Sequence, residues 1–300
     1  MKNIDISGVI VPLLTPMNAD ETINEKELRN QINHQINFGI HGIFPLGTNG
    51  EAYILNFDEK VEVLKIVVDE VNGRVPVYAG TGCVSTKETI SLSLKAKEIG
   101  VDILSIVTPY FASASQEELY NHFKEVAENV DLPIVLYNIP ARSGNSISPS
   151  TVEKLSKIQN IVGVKDSSGN FDNMLQYIEK TRSRKDFSVL SGNDSLILWC
   201  LLAGGKGGIA GCANVFPRTM SSIYNTFLEG NLEEARRLQD SIRSFRDCFK
   251  FGNPNTIVKT AVSLLGFPVG RCRKPFSEVS EEGIEAIKKV LIENKEKGIN

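Results

Sequence analysis

The feature that most constrains this chain is a recurrence. Short runs rich in Val, Ile and Leu alternate with longer stretches of helical period, and the pattern repeats eight times. The apolar runs are GVIVPLL (8–14), GIFPL (42–46), VPVYA (75–79), DILSIV (102–107), PIVLY (133–137), IVGVK (161–165), FSVLS (187–191) and GGIAG (207–211), their starts 20 to 34 residues apart. Between them lie amphipathic segments such as INEKELRNQINHQINFG, DEKVEVLKIVVDEVNG and SQEELYNHFKEVAEN, several opening on Ser, Asp or Asn and closing on Gly, as capped helices do. A parallel neighbour cannot be reached by a tight turn, so strands that alternate with helices form a parallel sheet with helical crossovers. Eight such units predict a (β/α)8 barrel, the TIM-barrel architecture.

A barrel of this kind occupies roughly 250 residues, and the chain has 300. After the eighth run it continues through FPRTMSSIYNTFLEG, NLEEARRLQDSIRSFRDCF, NPNTIVKTAVSLLG and SEEGIEAIKKVLIENKEKG, more helix than eight units need. We therefore expect a catalytic barrel over residues 1–225 and a C-terminal helical extension over 226–300, packed on the barrel without a linker.

Composition narrows the functional classes. Lys and Arg total 33 against 36 Asp and Glu, and no basic stripe offers a footprint for nucleic acid. The five cysteines (83, 200, 212, 248, 272) are odd in number, scattered and never in a C-x-x-C pair, which argues against a disulfide framework or zinc ribbon and for a reducing cytoplasm. MKNIDISGVIVPLLTP, with an early Asp and a Pro inside its apolar run, reads as a first strand rather than a signal peptide. LILWCLLAGG (196–205) is far short of the roughly 20 residues a membrane helix needs, so no membrane span is expected. The histidines (34, 41, 122) lack metal-ligand spacing, and AGGKGG (203–208) lacks the first Gly and the Ser/Thr of a phosphate loop.

Barrel enzymes work at the C-terminal ends of their strands. There the chain places GTNGE (47–51), TPYF (108–111), Tyr137 with NIPARSG, Lys165, SGND (191–194) and IAGC (209–212). Strict alternation in IVGVK puts Ile161, Gly163 and Lys165 on one face and the two valines on the other, so Lys165 points inward above Gly163, whose missing side chain leaves room for the lysine stem. Burial at such a place favours the uncharged amine, which can attack a ketone and form a Schiff base. The competing reading pairs Lys165 with Asp166 or lets it snorkel to the rim, although alternation turns Asp166 away. Tyr137 ends the next strand in the same manner and offers a phenol as proton shuttle, or else simply fills the barrel mouth. The GTNGE turn offers backbone N–H groups to a carboxylate and the Thr48 hydroxyl as a further proton carrier. Arg142 is placed to meet a second carboxylate or a sugar hydroxyl, or is solvated.

Taken together, G-T-N-G-E (47–51), Y-N-I-P (137–140) and V-K-D-S-S-G (164–169) resemble the signatures of the dihydrodipicolinate synthase and N-acetylneuraminate lyase family. The likeness extends over nearly the whole chain, through GCVST (82–86), TPYF and RCRKPF (271–276). The resemblance implies a class I aldolase-type barrel, without cofactor or metal, usually a homotetramer built from tight dimers, that binds pyruvate or another 2-oxo acid as a Schiff base. It further implies Lys165 as the Schiff-base lysine and Tyr137 with Thr48 as the proton relay. The backbone N–H groups of Thr48 and Asn49 would hold the pyruvate carboxylate, Ile209 would border the lysine pocket, and Arg142 would hold the carboxylate of an aldehyde partner.

Two positions depart from the family pattern. Asn49 stands where the family usually has Thr, as in the 4-hydroxy-2-oxoglutarate aldolase branch, and Phe111 stands where a second Tyr usually reaches the neighbouring subunit's relay. Phenylalanine carries no proton, so a 4-hydroxy-tetrahydrodipicolinate synthase-like reaction would run on an incomplete relay. The alternatives are a 2-keto-3-deoxy sugar-acid aldolase or dehydratase, a 4-hydroxy-2-oxoglutarate aldolase, a non-catalytic barrel that binds a 2-oxo acid, and a phosphate-binding barrel enzyme using the SGND and GIAGC loops.

Overall fold

The computed structural model describes residues 5–276 and 278–300. Its parallel strands are β1 (Gly8–Val11), β2 (Gly42–Ile43), β3 (Tyr78–Gly80), β4 (Ile103–Val107), β5 (Ile134–Asn138), β6 (Ile161–Asp166), β7 (Ser188–Ser191) and β8 (Gly207–Ile209). They pair in the order β2-β1-β8-β7-β6-β5-β4-β3, and a parallel bridge between Ile43 and Val77 joins the two ends. The result is the closed eight-stranded barrel that the recurrence predicts. Several strands are shorter than their apolar runs, because Pro12 and Pro45 bring no N–H to the ladder.

Helices α1 (Glu25–Asn37), α2 (Phe57–Val71), α3 (Thr86–Ile99) and α4 (Gln116–Asn129) follow the first four strands. After β5 come a single turn, α5 (Pro140–Ser143), and α6 (Pro149–Leu155); α7 (Phe171–Thr181) and α8 (Ile197–Leu202) follow β6 and β7. Asn56 and Ser115 close full capping boxes with Glu59 and Glu118, which fixes where α2 and α4 start beneath the site loops. Beyond β8 lie α9 (Pro217–Leu228), α10 (Leu232–Ser241), α11 (Arg243–Asp247), α12 (Pro254–Leu264) and α13 (Glu281–Glu296).

Two apolar layers result. Ile10, Phe44, Tyr78, Ile103, Val135, Leu190 and Ile209 fill the barrel interior, and a larger shell packs between strands and helices. β6 breaks the simple alternation expected of it. Ile134 pairs with Ile161 but Val135 pairs with Gly163, so an irregularity absorbs one extra residue. Ile161 consequently joins the outer shell and Val162 packs on the interior, the reverse of the sequence expectation, while Gly163 and Lys165 face inward as expected. Gly163 does not make room for the lysine either. A Cβ there would lie 2.6 Å from the Ser188 carbonyl, so its role is the close approach of β7, and it is Gly192 whose Cβ would come within 3.0 Å of Lys165 Cε.

Candidate active site

The ends of β2 to β5 and the segment around α12 enclose a cavity of about 300 Å³. Its walls include Phe44, Thr48, Tyr53, Gly80, Ser105, Tyr110, Tyr137, Arg142, Asn255 and Phe276. The register Tyr137↔Lys165 sets phenol and amine side by side on adjacent strands. Tyr137 is 4 % exposed and Lys165 3 %. Lys165 Nζ lies 3.8 Å from the centre of the Tyr137 ring and 5.2 Å from that of Phe44. The Tyr137 hydroxyl reaches the other way, 3.0 Å from Thr48 Oγ1. Amine, phenol and hydroxyl thus form one contiguous group, with Lys165 packed behind the two rings rather than on the cavity wall.

Asp166 does not pair with Lys165. Buried on the outer face of β6, its carboxylate accepts from Asn138 Nδ2 at 2.9 Å, Ser168 Oγ at 2.9 Å, Ser168 N at 3.1 Å and Asn173 Nδ2 at 3.2 Å. Asn138 in turn accepts from Ile147 N at 3.0 Å. The residue after each of Tyr137 and Lys165 is therefore locked into the layer outside the barrel, which holds the two strand tips in register. Among the described residues, the backbone N–H groups of Thr48 and Asn49 donate to no other group, so this turn presents two free donors to an anion.

The other expected residues fall in different places. Arg142, on α5, is exposed at the cavity rim and forms no ion pair with a described residue. Asn49 turns its amide toward Asn255, donating to Oδ1 at 3.4 Å, so its side chain is absent from the cavity wall. Ile209 lies in the interior layer beneath the mouth, 1 % exposed. The SGND and IAGC loops close on each other and on α11: Asp194 accepts from Cys212 N at 3.0 Å and from Arg246 at 2.6 Å. All five cysteines are free and buried.

Asn255, at the start of α12, escaped the sequence reading. Its Nδ2 donates to Thr48 O at 2.7 Å and to the Tyr53 hydroxyl at 3.2 Å, so a helix from beyond the barrel braces the GTNGE turn. Burial, with the Glu51 carboxylate adding to it, pushes the Tyr53 phenol up to about 12. Glu51 itself is fully buried in the left-handed region (φ 56°) and bonded to Lys259 Nζ of α12 at 2.5 Å. Nothing local in NPNTIVKTAV announces these roles.

Phe111 is the outlier of the β4 loop. It has φ 80° and is fully exposed, yet the loop is firmly held: Asn145 donates to Pro109 O and Ala112 O, both at 2.8 Å, and accepts from Ala114 N at 2.7 Å.

A parallel eight-stranded barrel with an amine, a phenol, a hydroxyl and two free N–H groups at the C-terminal strand ends defines a class, the barrel enzymes that work on small polar molecules from that face. Comparison with known proteins makes the assignment narrower. The dihydrodipicolinate synthetase family model matches residues 5–294, and the chain belongs to that family, whose enzymes are lyases of the class I aldolase type. It is 42 % identical over 289 residues to the 4-hydroxy-tetrahydrodipicolinate synthase of Methanopyrus kandleri, covering 95 % of each chain. The crystal structure of a dihydrodipicolinate synthase from Bacillus anthracis superposes with a TM-score of 0.92 at 37 % identity, covering 96 % of this chain and 98 % of that one. YagE, a prophage protein of the same family from E. coli K12 solved in complex with pyruvate, gives 0.94 at 30 % identity, covering 97 % and 99 %.

Proposed function

We propose that the protein is a Schiff-base-forming lyase that joins pyruvate or another 2-oxo acid to an aldehyde, or releases it, in the manner of 4-hydroxy-tetrahydrodipicolinate synthase. The Lys165 amine attacks the ketone carbon, giving a carbinolamine. Tyr137, in exchange with Thr48, delivers the proton with which the former ketone oxygen leaves as water, and an imine remains. Loss of a proton from the neighbouring carbon gives the enamine, which forms the carbon–carbon bond to the aldehyde while the aldehyde oxygen is protonated. Water then hydrolyses the imine and regenerates the amine.

In this scheme the N–H groups of Thr48 and Asn49 hold the 2-oxo acid's carboxylate, Ile209 backs the lysine pocket, and Arg142 at the rim takes a carboxylate on the aldehyde. We further propose a homotetramer of tight dimers. The observation that carries the reading is the contiguous chain from Lys165 through the Tyr137 ring to the Thr48 hydroxyl, 3.8 and 3.0 Å in its two links. The pyruvate complex of YagE and the naming of relatives at 36 and 42 % identity support the donor and the reaction.

Trapping tests it. Borohydride added with pyruvate is expected to leave a reduced adduct on the Lys165 peptide, absent in Lys165→Met; an unmodified enzyme under turnover conditions would overturn the proposal. A second reading, an aldolase or dehydratase of 2-keto-3-deoxy sugar acids, is favoured by Phe111, which removes a hydroxyl from the relay a synthase would use. Pyruvate release from such acids, set beside condensation with aspartate semialdehyde, separates the two.

A further inference from the structure

The barrel interior below the site is largely apolar, and one of its inward hydroxyls lines the cavity without a hydrogen-bond partner among the described residues. Ser105 sits in the middle of β4, in register with Gly80 of β3 and Val135 of β5, and faces inward between Ile103 and Val107. It is 1 % exposed, it lines the cavity, and its Oγ has no hydrogen-bond partner among the described residues. The neighbouring hydroxyls behave differently: Thr108 donates to Ser143 at 2.8 Å and Ser93 to Thr81 at 2.8 Å. A buried hydroxyl left unpaired costs roughly 1–3 kcal/mol, and apolar side chains occupy the equivalent inward places around it. Such a group persists when something other than the fold satisfies it, and the space it faces is the cavity.

We propose that Ser105 is a specificity residue, and that its hydroxyl bonds a hydroxyl group of the 2-oxo acid, so that the substrate is a hydroxylated 2-oxo acid rather than pyruvate alone. The inference rests on the Schiff-base reading above and adds the substrate class. Chemistry selects a hydroxyl. A neutral Ser among Phe44, Ile103 and Val135 offers one donor and one acceptor but no charge to meet a carboxylate, which the N–H groups at Thr48 and Asn49 and the Arg142 guanidinium at the rim serve instead. Ser105 is two residues below Val107, which pairs with Tyr137, so its hydroxyl lies roughly 6–7 Å deeper along the strand than the phenol layer. A polar substituent two or three bonds from the imine carbon spans that depth; the methyl group of pyruvate leaves the hydroxyl unpaired.

The test compares wild type with Ser105→Ala and Ser105→Thr, using pyruvate, 4-hydroxy-2-oxoglutarate and 2-keto-3-deoxygluconate as probes. Half-saturation of borohydride trapping is measured for each, with kcat and KM for pyruvate release from the two hydroxylated acids. Ser105→Ala is expected to raise KM and the trapping half-saturation for at least one hydroxylated acid by 10-fold or more. It should change pyruvate trapping by less than 2-fold and leave Tm unchanged or higher, while Ser105→Thr restores part of the loss. Equal effects on all three probes, no effect on any, or a loss that follows a fall in Tm overturns the inference, as does a wild-type enzyme that traps pyruvate but neither hydroxylated acid. In each of those outcomes the Lys165 adduct still forms with pyruvate in wild type. Its absence with every probe instead removes the Schiff-base reading and this inference together.

Discussion

Tyr137 is the residue whose surroundings say most about its use. Its ring covers the Lys165 amine, its hydroxyl meets Thr48, and Asn138 beside it is bonded to the buried Asp166. On the proposed mechanism, Tyr137→Phe keeps the ring against the amine and removes only the proton carrier. Turnover should fall by roughly 10²–10³-fold, within the range of a lost general acid, with slow formation of the trapped adduct retained. Thr48→Val is expected to act in the same direction more weakly; an undiminished kcat in both variants would remove the relay. Lys165, Tyr137 and Thr48 were legible because strand alternation and short motifs mark them within a few residues. Ser105 carried a fainter signal, a single hydroxyl inside the apolar run DILSIV, whose meaning depends on partners that a sequence does not display. His122 is a titrating residue of another kind. It is 5 % exposed, with Nδ1 2.9 Å from Thr86 Oγ1, and burial holds it down to about 4. The unfolded chain takes up this proton near pH 6.5 and the folded one only near pH 4, so the contribution is fully present above about pH 6.5 and declines as the pH falls between the two. Urea unfolding at pH 7.5 and 4.5 should show His122→Gln losing less stability on acidification than wild type, by on the order of 2–3 kcal/mol.

Helix α12 shows what an element contributes when its residues are far from the motifs. Asn255 braces the Thr48 carbonyl, and Lys259 is bonded to Glu51 at 2.5 Å and to Arg271 O at 3.0 Å, while Glu51 also accepts from Arg273 N at 2.9 Å. The GTNGE turn, the helix and the RCRKPF stretch are thereby closed into one polar knot, and Asn255 and Phe276 from its outer parts line the cavity. The existence of these helices was legible from their periodicity. Their seat against the site was not, because it depends on pairings across more than 200 positions that leave no local pattern. Removing one partner of a buried pair strands the other's charge. Lys259→Met should therefore cost about 3–5 kcal/mol in chemical denaturation, and Glu51→Gln combined with Lys259→Met should recover a substantial part of that loss. A double variant no more stable than the single one would mean that the lysine stem's packing, not its charge, is what counts.

At the scale of the whole molecule, Phe111 is the feature a single chain leaves unexplained. A fully exposed aromatic in the left-handed region is unfavourable twice over, through water against the ring and through backbone strain, and Asn145 holds the loop in that shape with three bonds. A surface side chain so presented gains most when a second copy of the chain covers it. The proposed tight dimer would supply that cover, and on the family pattern the ring would then stand beside the partner subunit's relay. Two substitutions separate the roles of contact and chemistry. Phe111→Glu buries a charge in the proposed contact and should shift the sedimenting species toward smaller assemblies, with loss of turnover. Phe111→Tyr keeps the ring and adds a hydroxyl at that place, so on the proposed mechanism it should leave the sedimentation coefficient unchanged and raise condensation of pyruvate with aspartate semialdehyde by about 10-fold or more, toward the range of one added proton carrier. If Phe111→Tyr changes neither that condensation nor cleavage of hydroxylated acids, while Phe111→Glu still dissociates the assembly, the ring serves as a contact alone. The reaction then runs on Tyr137 and Thr48 without help from across the interface.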